Sequence, residues 1–113
     1  MERAMQRMGM VIGVRPEFIT RYKELHAEVW PEILQSISDC NIKNYSIFLR
    51  EPENLLFGYW EYVGTDFEAD MQRMADMPIT KKWWELCMPC QKPLDSKKEE
   101  EWWAPMEQVF FHA

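Results

Sequence analysis

The sequence predicts an α+β fold, a two-layer sandwich in which helices cover one face of an antiparallel sheet. Three observations predict it. Segments of period-two and helical patterning follow one another in the order β-α-β-β-α-β. The two middle strands are separated only by a turn cluster, which makes them a hairpin. The chain has 113 residues, 47% of them hydrophobic and 14% aromatic, enough to close one core in a single domain over residues 1-113.

From Gln6 to Val14, Met8, Met10, Ile12 and Val14 fall on one face and Gly9, Val11 and Gly13 on the other. This predicts a strand with a bulky core side and a thin side that leaves room for a ligand or a second backbone. Arg15-Pro16 ends it, and Pro16 suits the first turn of a helix. From Glu17 to Val29 the period turns helical, with Phe18, Tyr22, Leu25 and Val29 in one stripe and His26 at its edge. Pro31 breaks that helix and opens another, which carries Ile33, Leu34 and Ile37 inward until Asp39. Lys43 to Leu49 reads as a strand with Tyr45, Ile47 and Leu49 on one face. The turn cluster Arg50 to Asn54 leads into the return strand, Leu55 to Tyr62, apolar on both sides. Gly64-Thr65-Asp66 stops it and caps a helix through Met77. Pro78 opens a further helical piece, Ile79 to Met88. Residues 91-105 are polar and charged and read as a long loop, and Met106 to His112 as the closing strand.

This order is the split-βαβ, ferredoxin-like arrangement. It leaves one sheet face uncovered, and the two-sided return strand needs cover there, from a second copy or over a ligand cavity. The formal net charge of −6 argues against a nucleic-acid partner, which calls for a basic patch. No apolar run reaches the roughly 20 residues of a membrane span, and the opening residues lack an export signal's apolar stretch. Three cysteines are an odd count for a disulfide framework, so the cytoplasm is the expected compartment.

Few residues offer chemistry. Phosphate loops, nucleophile elbows and paired metal-binding histidines are all missing from the sequence. Cys87-Met88-Pro89-Cys90 has redox or half-zinc spacing, but it follows a helix instead of opening one, so ordinary thiols are the first reading. Tyr22 and His26 are four residues apart on one helix face, so their side chains meet. The pair reads either as half-buried packing at a helix edge or as a proton-transfer site, histidine being the side chain that titrates near neutrality. Near the end of its helix, His26 is expected to have its charged form favoured by the dipole. Trp83 and Trp84 are adjacent, so they point about 100° apart and cannot share one core patch; one of them is expected to face a cleft or a partner, and the pair reads either as core plus interface or as a sugar floor. Trp102-Trp103 in the late loop reads as an anchoring lid or a subunit contact.

Tyr22-x-x-x-His26, Val29-Trp30-Pro31-Glu32, Asn44-Tyr45-Ser46-Ile47, Asn54-Leu55-Leu56-Phe57, Lys82-Trp83-Trp84 and Glu107-Gln108-Val109-Phe110 occur in this order. Over nearly its whole length the chain resembles the L-rhamnose mutarotase family. The resemblance implies a ferredoxin-like homodimer that interconverts the anomers of a 6-deoxy hexose with no metal and no cofactor. It implies His26 as the catalytic proton donor and Tyr22, Tyr45, Trp83 and Trp84 as contacts to the monosaccharide. Another deoxy-sugar such as L-fucose, or a ferredoxin-like oxygenase or small-molecule binder, are the alternatives, since one fold hosts many functions.

Overall fold

The computed structural model describes residues 5–113; residues 1–4, the start of the segment read as lacking an export signal, lie outside it. β1 (Gln6–Val14) runs out through a short 3-10 turn (Pro16–Phe18) into α1 (Ile19–Ala27), and α2 (Pro31–Asp39) follows. β2 (Ile42–Arg50) and β3 (Leu55–Tyr62) form the hairpin, then come α3 (Phe67–Asp76), α4 (Pro78–Cys87) and a 3-10 turn at Met88–Cys90. Two short strands close the described chain, β4 (Gln91–Lys92) and β5 (Ala104–Met106).

The sheet order is β2-β3-β1-β4, the ferredoxin-like order the sequence predicts, and every pairing is antiparallel. One edge of β1 is taken by β3 from Gln6 to Gly13. The other edge is shared by β5, opposite Gly9 to Val11, and β4, opposite Gly13 and Val14. The alternation along β3 follows from that frame. Leu56, Gly58, Trp60 and Tyr62 are buried on the helix side, while Leu55, Phe57, Tyr59 and Glu61 are half-buried on the other.

Two clusters make the core. Around Ile12, Val14 and Leu56, the residues Tyr22, Leu25, Ile33, Trp83 and Cys87 bring in α1, α2 and α4. Around Ile42, Trp60 and Tyr62, the residues Phe67, Met71 and Met74 bring in α3. A polar clasp holds α3 in place. The Tyr62 hydroxyl (2.5 Å) and Asn41 Nδ2 (2.9 Å) donate to Asp70, and Arg73 donates to both Asp70 (2.9 Å) and the Asp39 carbonyl (2.7 Å). These donors, Tyr62 first, hold the Asp70 carboxyl down at about 2. Asp66 caps α3 by accepting from the Ala69 N–H, as the sequence predicts.

Four expectations are corrected. Phe18 is 40% exposed, because the Pro16–Phe18 turn winds with three residues per turn and shifts it off the α1 stripe. Leu34 is 54% exposed beside buried Ile33; the inward place a turn on is taken by Ser36, whose hydroxyl donates to the Ile33 carbonyl at 2.8 Å. The span 91-105 is not one loop, since both its ends pair with β1 and only 93–103 lies outside a strand. Within that stretch Trp102 and Trp103 fold in against the core. The closing strand ends at Met106 instead of His112; residues 107–113, His112 among them, are exposed and in no strand.

The thin side of β1 has its use at Gly13. A Cβ there would stand 2.6 Å from the Lys92 carbonyl oxygen, whereas at Gly9 it would meet only the Met106 side-chain end at 3.4 Å. Neither glycine has a positive φ, so contact alone decides the effect of substitution. Gly13→Ala should therefore cost about 1–3 kcal/mol by overpacking, read as a lower midpoint in urea unfolding. Gly9→Ala should change the midpoint little, and equal effects at the two positions would refute the close-approach account.

Candidate functional site

The site is built on the last two turns of α1. Tyr22 is buried by its place in the apolar stripe, and His26 sits half-buried one turn further on. Their rings stack, with centroids 4.2 Å apart and planes inclined by 20°. His26 Nδ1 lies 2.9 Å from the Tyr22 carbonyl oxygen. A carbonyl accepts only, so Nδ1 carries a proton and donates, which puts the lone pair of the neutral ring on Nε2. Nε2 has no hydrogen-bond partner among the described residues.

Burial lowers the His26 pKa below 6.5, and the bond to the Tyr22 carbonyl offsets this only in part. The expected dipole stabilisation of the charged form is thus outweighed: the ring is desolvated against Tyr22 and Trp83, and the dipole effect is modest, about 0.3–1 kcal/mol at exposed positions. Trp83, buried on α4, meets His26 edge-on at 5.4 Å and Trp30 at 5.2 Å.

Beside the histidine is a cavity of about 140 Å³. Tyr22, Lys23 and His26 line it on the α1 side together with Ile19, and Val14, Ile47, Leu49 and Leu56 line it on the sheet side. Its size, well below the roughly 300 Å³ where drug-sized pockets begin, suits a small molecule. Tyr45 is aimed by a β-bulge between Lys43 and Ser46, where Asn44 takes φ 52°. Its ring lies 6.5 Å from that of Trp60. Tyr45 is 40% exposed as a residue, yet its hydroxyl end is desolvated and its pKa is pushed up to about 12. It is near enough to add to the rise at Tyr22, which is caused first by burial.

The two adjacent tryptophans diverge as their spacing predicts. Trp83 joins His26, while Trp84 is 40% exposed and lines a separate open groove of about 620 Å³ with Arg15, Lys81, Glu85, Met88, Pro89, Gln91 and Trp102. The structure therefore brings Tyr22, His26 and Trp83 into one cluster with Tyr45 at its margin, and turns Trp84 outward. Cys87 and Cys90 are free, buried thiols; burial pushes Cys87 up to about 12 and Cys90 upward, so neither is a ready thiolate. Among the described residues no group of three or more His, Cys, Asp or Glu side chains is placed to hold a metal ion, and no helix is long and apolar enough to cross a membrane.

One site residue escapes sequence reasoning. Gln91 is 5% exposed; its Nε2 donates to the Tyr22 hydroxyl at 3.2 Å, and its Oε1 accepts from Trp102 Nε1 at 2.7 Å. It stands in a polar stretch with no periodicity to single it out. Only the aromatic pair 102–103 marked that stretch as anchored.

Comparison with known proteins bears on this geometry. The sequence profile described as L-rhamnose mutarotase matches residues 7–112. A relative of that name from Mannheimia succiniciproducens is 34% identical over 110 residues, 95% of this chain and 98% of its own. One from Oceanobacillus iheyensis is 36% identical over 88 residues, 78% of this chain and 82% of its own. The crystal structure of L-rhamnose mutarotase from Formosa agariphila superposes with a TM-score of 0.73 at 27% identity, over 96% of this chain and 99% of that one. Tetracenomycin F2 cyclase from Streptomyces glaucescens shares the fold at 14% identity, with a TM-score of 0.70 over 96% and 97% of the two chains. With its profile matched from strand β1 to the C-terminal tail, and with a relative of that family 34% identical over 95% of its length, the chain belongs to the L-rhamnose mutarotase family.

Proposed function

We propose that this protein interconverts the α and β anomers of L-rhamnose, a 6-deoxy hexose, with His26 moving the proton. The observation that carries the reading is a neutral histidine with Nδ1 committed to the backbone and Nε2 left free beside a cavity of about 140 Å³. Nε2 takes the proton of the anomeric hydroxyl; C1=O forms, and the bond from C1 to the ring oxygen breaks. The ring oxygen and the anomeric oxygen share C1, so the imidazolium can return the same proton to the ring oxygen without a second acid. The open-chain aldehyde turns about C1–C2, and the reverse steps close the ring on its other face. Electrons and protons balance within this one transfer. Tyr22 and Tyr45 hold sugar oxygens, and Trp83 and the aliphatic wall face the ring and the C6 methyl. Trp84 contacts sugar only from the outer groove.

A homodimer in the cytoplasm completes the reading. Outside the helix-covered face, Phe48 is 64% exposed, and in the tail Val109 is 86% and Phe110 79% exposed. That much apolar surface suits a second copy. Three free, buried cysteines suit a reducing compartment, and the net charge of −6 gives no support to a nucleic-acid partner.

Three results are expected. His26→Asn keeps its melting temperature but loses about 10²-fold or more of the enzymatic exchange, read by saturation-transfer NMR on the anomeric protons of L-rhamnose. Undiminished exchange would remove His26 from the mechanism. The base must be neutral and its pKa is lowered, so kcat/KM should be full at pH 7 and fall only as pH drops through a midpoint below 6.5. A midpoint above 6.5, or a rate that climbs on acidification, contradicts the neutral base. Sedimentation equilibrium should return about twice the 13.7 kDa chain mass, and a monomer at micromolar concentration would exclude the dimer.

A further inference from the structure

We propose that Gln91 is a positioning residue that makes Tyr22 a hydrogen-bond donor to the sugar. The inference deepens the mutarotase reading and rests on it. Gln91 is buried, and its amide is read unambiguously by its neighbours. The indole N–H of Trp102 can only donate, so the atom 2.7 Å from it must be the amide oxygen. That choice turns Nε2 toward Tyr22, where it donates to the hydroxyl oxygen at 3.2 Å. The hydroxyl's own proton then has no acceptor among the described residues, and the Tyr22 ring borders the cavity. Trp102 orients Gln91, Gln91 occupies the tyrosine's lone pair, and the tyrosine offers its proton to a sugar oxygen. A lone tyrosine would be free to accept as well as donate; this one is held to a single role.

Kinetics of anomer exchange on wild type and four variants test it. Gln91→Glu keeps the shape and the acceptor for Trp102, but its carboxylate takes the tyrosine's proton away from the cavity. KM for L-rhamnose should rise about tenfold, the worth of roughly one hydrogen bond, while kcat stays within about twofold, the sign of an interaction present in ground and transition states alike. Gln91→Met loses both hydrogen bonds yet leaves Tyr22 able to donate, so its KM should rise less. A purely structural glutamine gives the opposite order, since Met disrupts more contacts than Glu. In a Tyr22→Phe background, Gln91→Glu should add nothing further. If Gln91→Glu does not fold, Trp102→Phe serves in its place: a KM increase of a few fold with Tyr22 present, and none with Tyr22→Phe. Additive losses, or Met worse than Glu, overturn the role of Gln91 and leave the function standing. A wild type that does not speed exchange of L-rhamnose overturns the function and this role together.

Discussion

The hydrogen bond from His26 Nδ1 to the Tyr22 carbonyl is the constraint on which the rest of the site depends. It is a product of helix geometry, because only a residue one turn back places a carbonyl under the ring. It fixes the tautomer, and so decides which nitrogen meets a ligand. The same spacing stacks the two rings at 4.2 Å, which desolvates the imidazole and keeps it neutral. Two opposing effects act on that charge. The dipole and the carbonyl favour the imidazolium, burial disfavours it, and burial is the larger. In the proposed reaction a histidine in this state starts as a base, and after one transfer it becomes an acid.

The site is tied into the sheet through a chain of contacts that runs outward from Tyr22. Gln91 reaches Tyr22 because β4 holds it beside Val14, and β4 is only two residues long. So short a strand is placed by its neighbours: the Gly13 backbone on one side, close to the Lys92 carbonyl, and the bond between Arg15 N–H and the Cys90 carbonyl, 2.8 Å, before it. Trp102 closes the chain from the far end of the 93–103 segment, and its neighbour Trp103 packs near Gly58 in the middle of β3. A missing side chain at two glycines thus leaves room for the strand that carries a buried amide and for the ring of Trp103.

What was legible in the sequence follows from where the signals are periodic. The strand from Gln6 to Val14, the hairpin, the Asp66 cap and the two later helices carry alternation, helical spacing or cap chemistry, and the structure has them within a residue or two. Phe18 and Leu34 were misplaced because a stripe drawn at 3.6 residues per turn cannot see a 3-10 turn or choose between adjacent apolar residues. The Tyr22–His26 pairing and the divergence of Trp83 from Trp84 were legible as helix geometry. Tyr45 owes its placement to a bulge at Asn44, which no alternation pattern reveals. Gln91 was invisible for a related reason: a buried amide is held by two long-range hydrogen bonds, 69 and 11 residues away in sequence, and neither leaves a local trace.

The economy of polar groups fits the demands of the proposed reaction. A pocket that accepts both anomers and the open aldehyde must not grip the anomeric carbon's substituents from one side. Here the walls against the sheet are Val14, Ile47, Leu49 and Leu56, which tolerate a turning C1, and the polar residues that line the cavity, Tyr22, Lys23 and His26, lie on α1. Selectivity then has to come from oxygens away from C1, where a group of fixed donor sense discriminates best, since a mispaired buried polar group costs more than a missing methylene. Tyr22, held by Gln91, is such a group. Trp84 lines the outer groove together with Gln91 and Trp102, and Gln91 is bonded to Tyr22, which borders the histidine cavity. A change in Trp102 therefore touches the groove directly and reaches Tyr22 through Gln91.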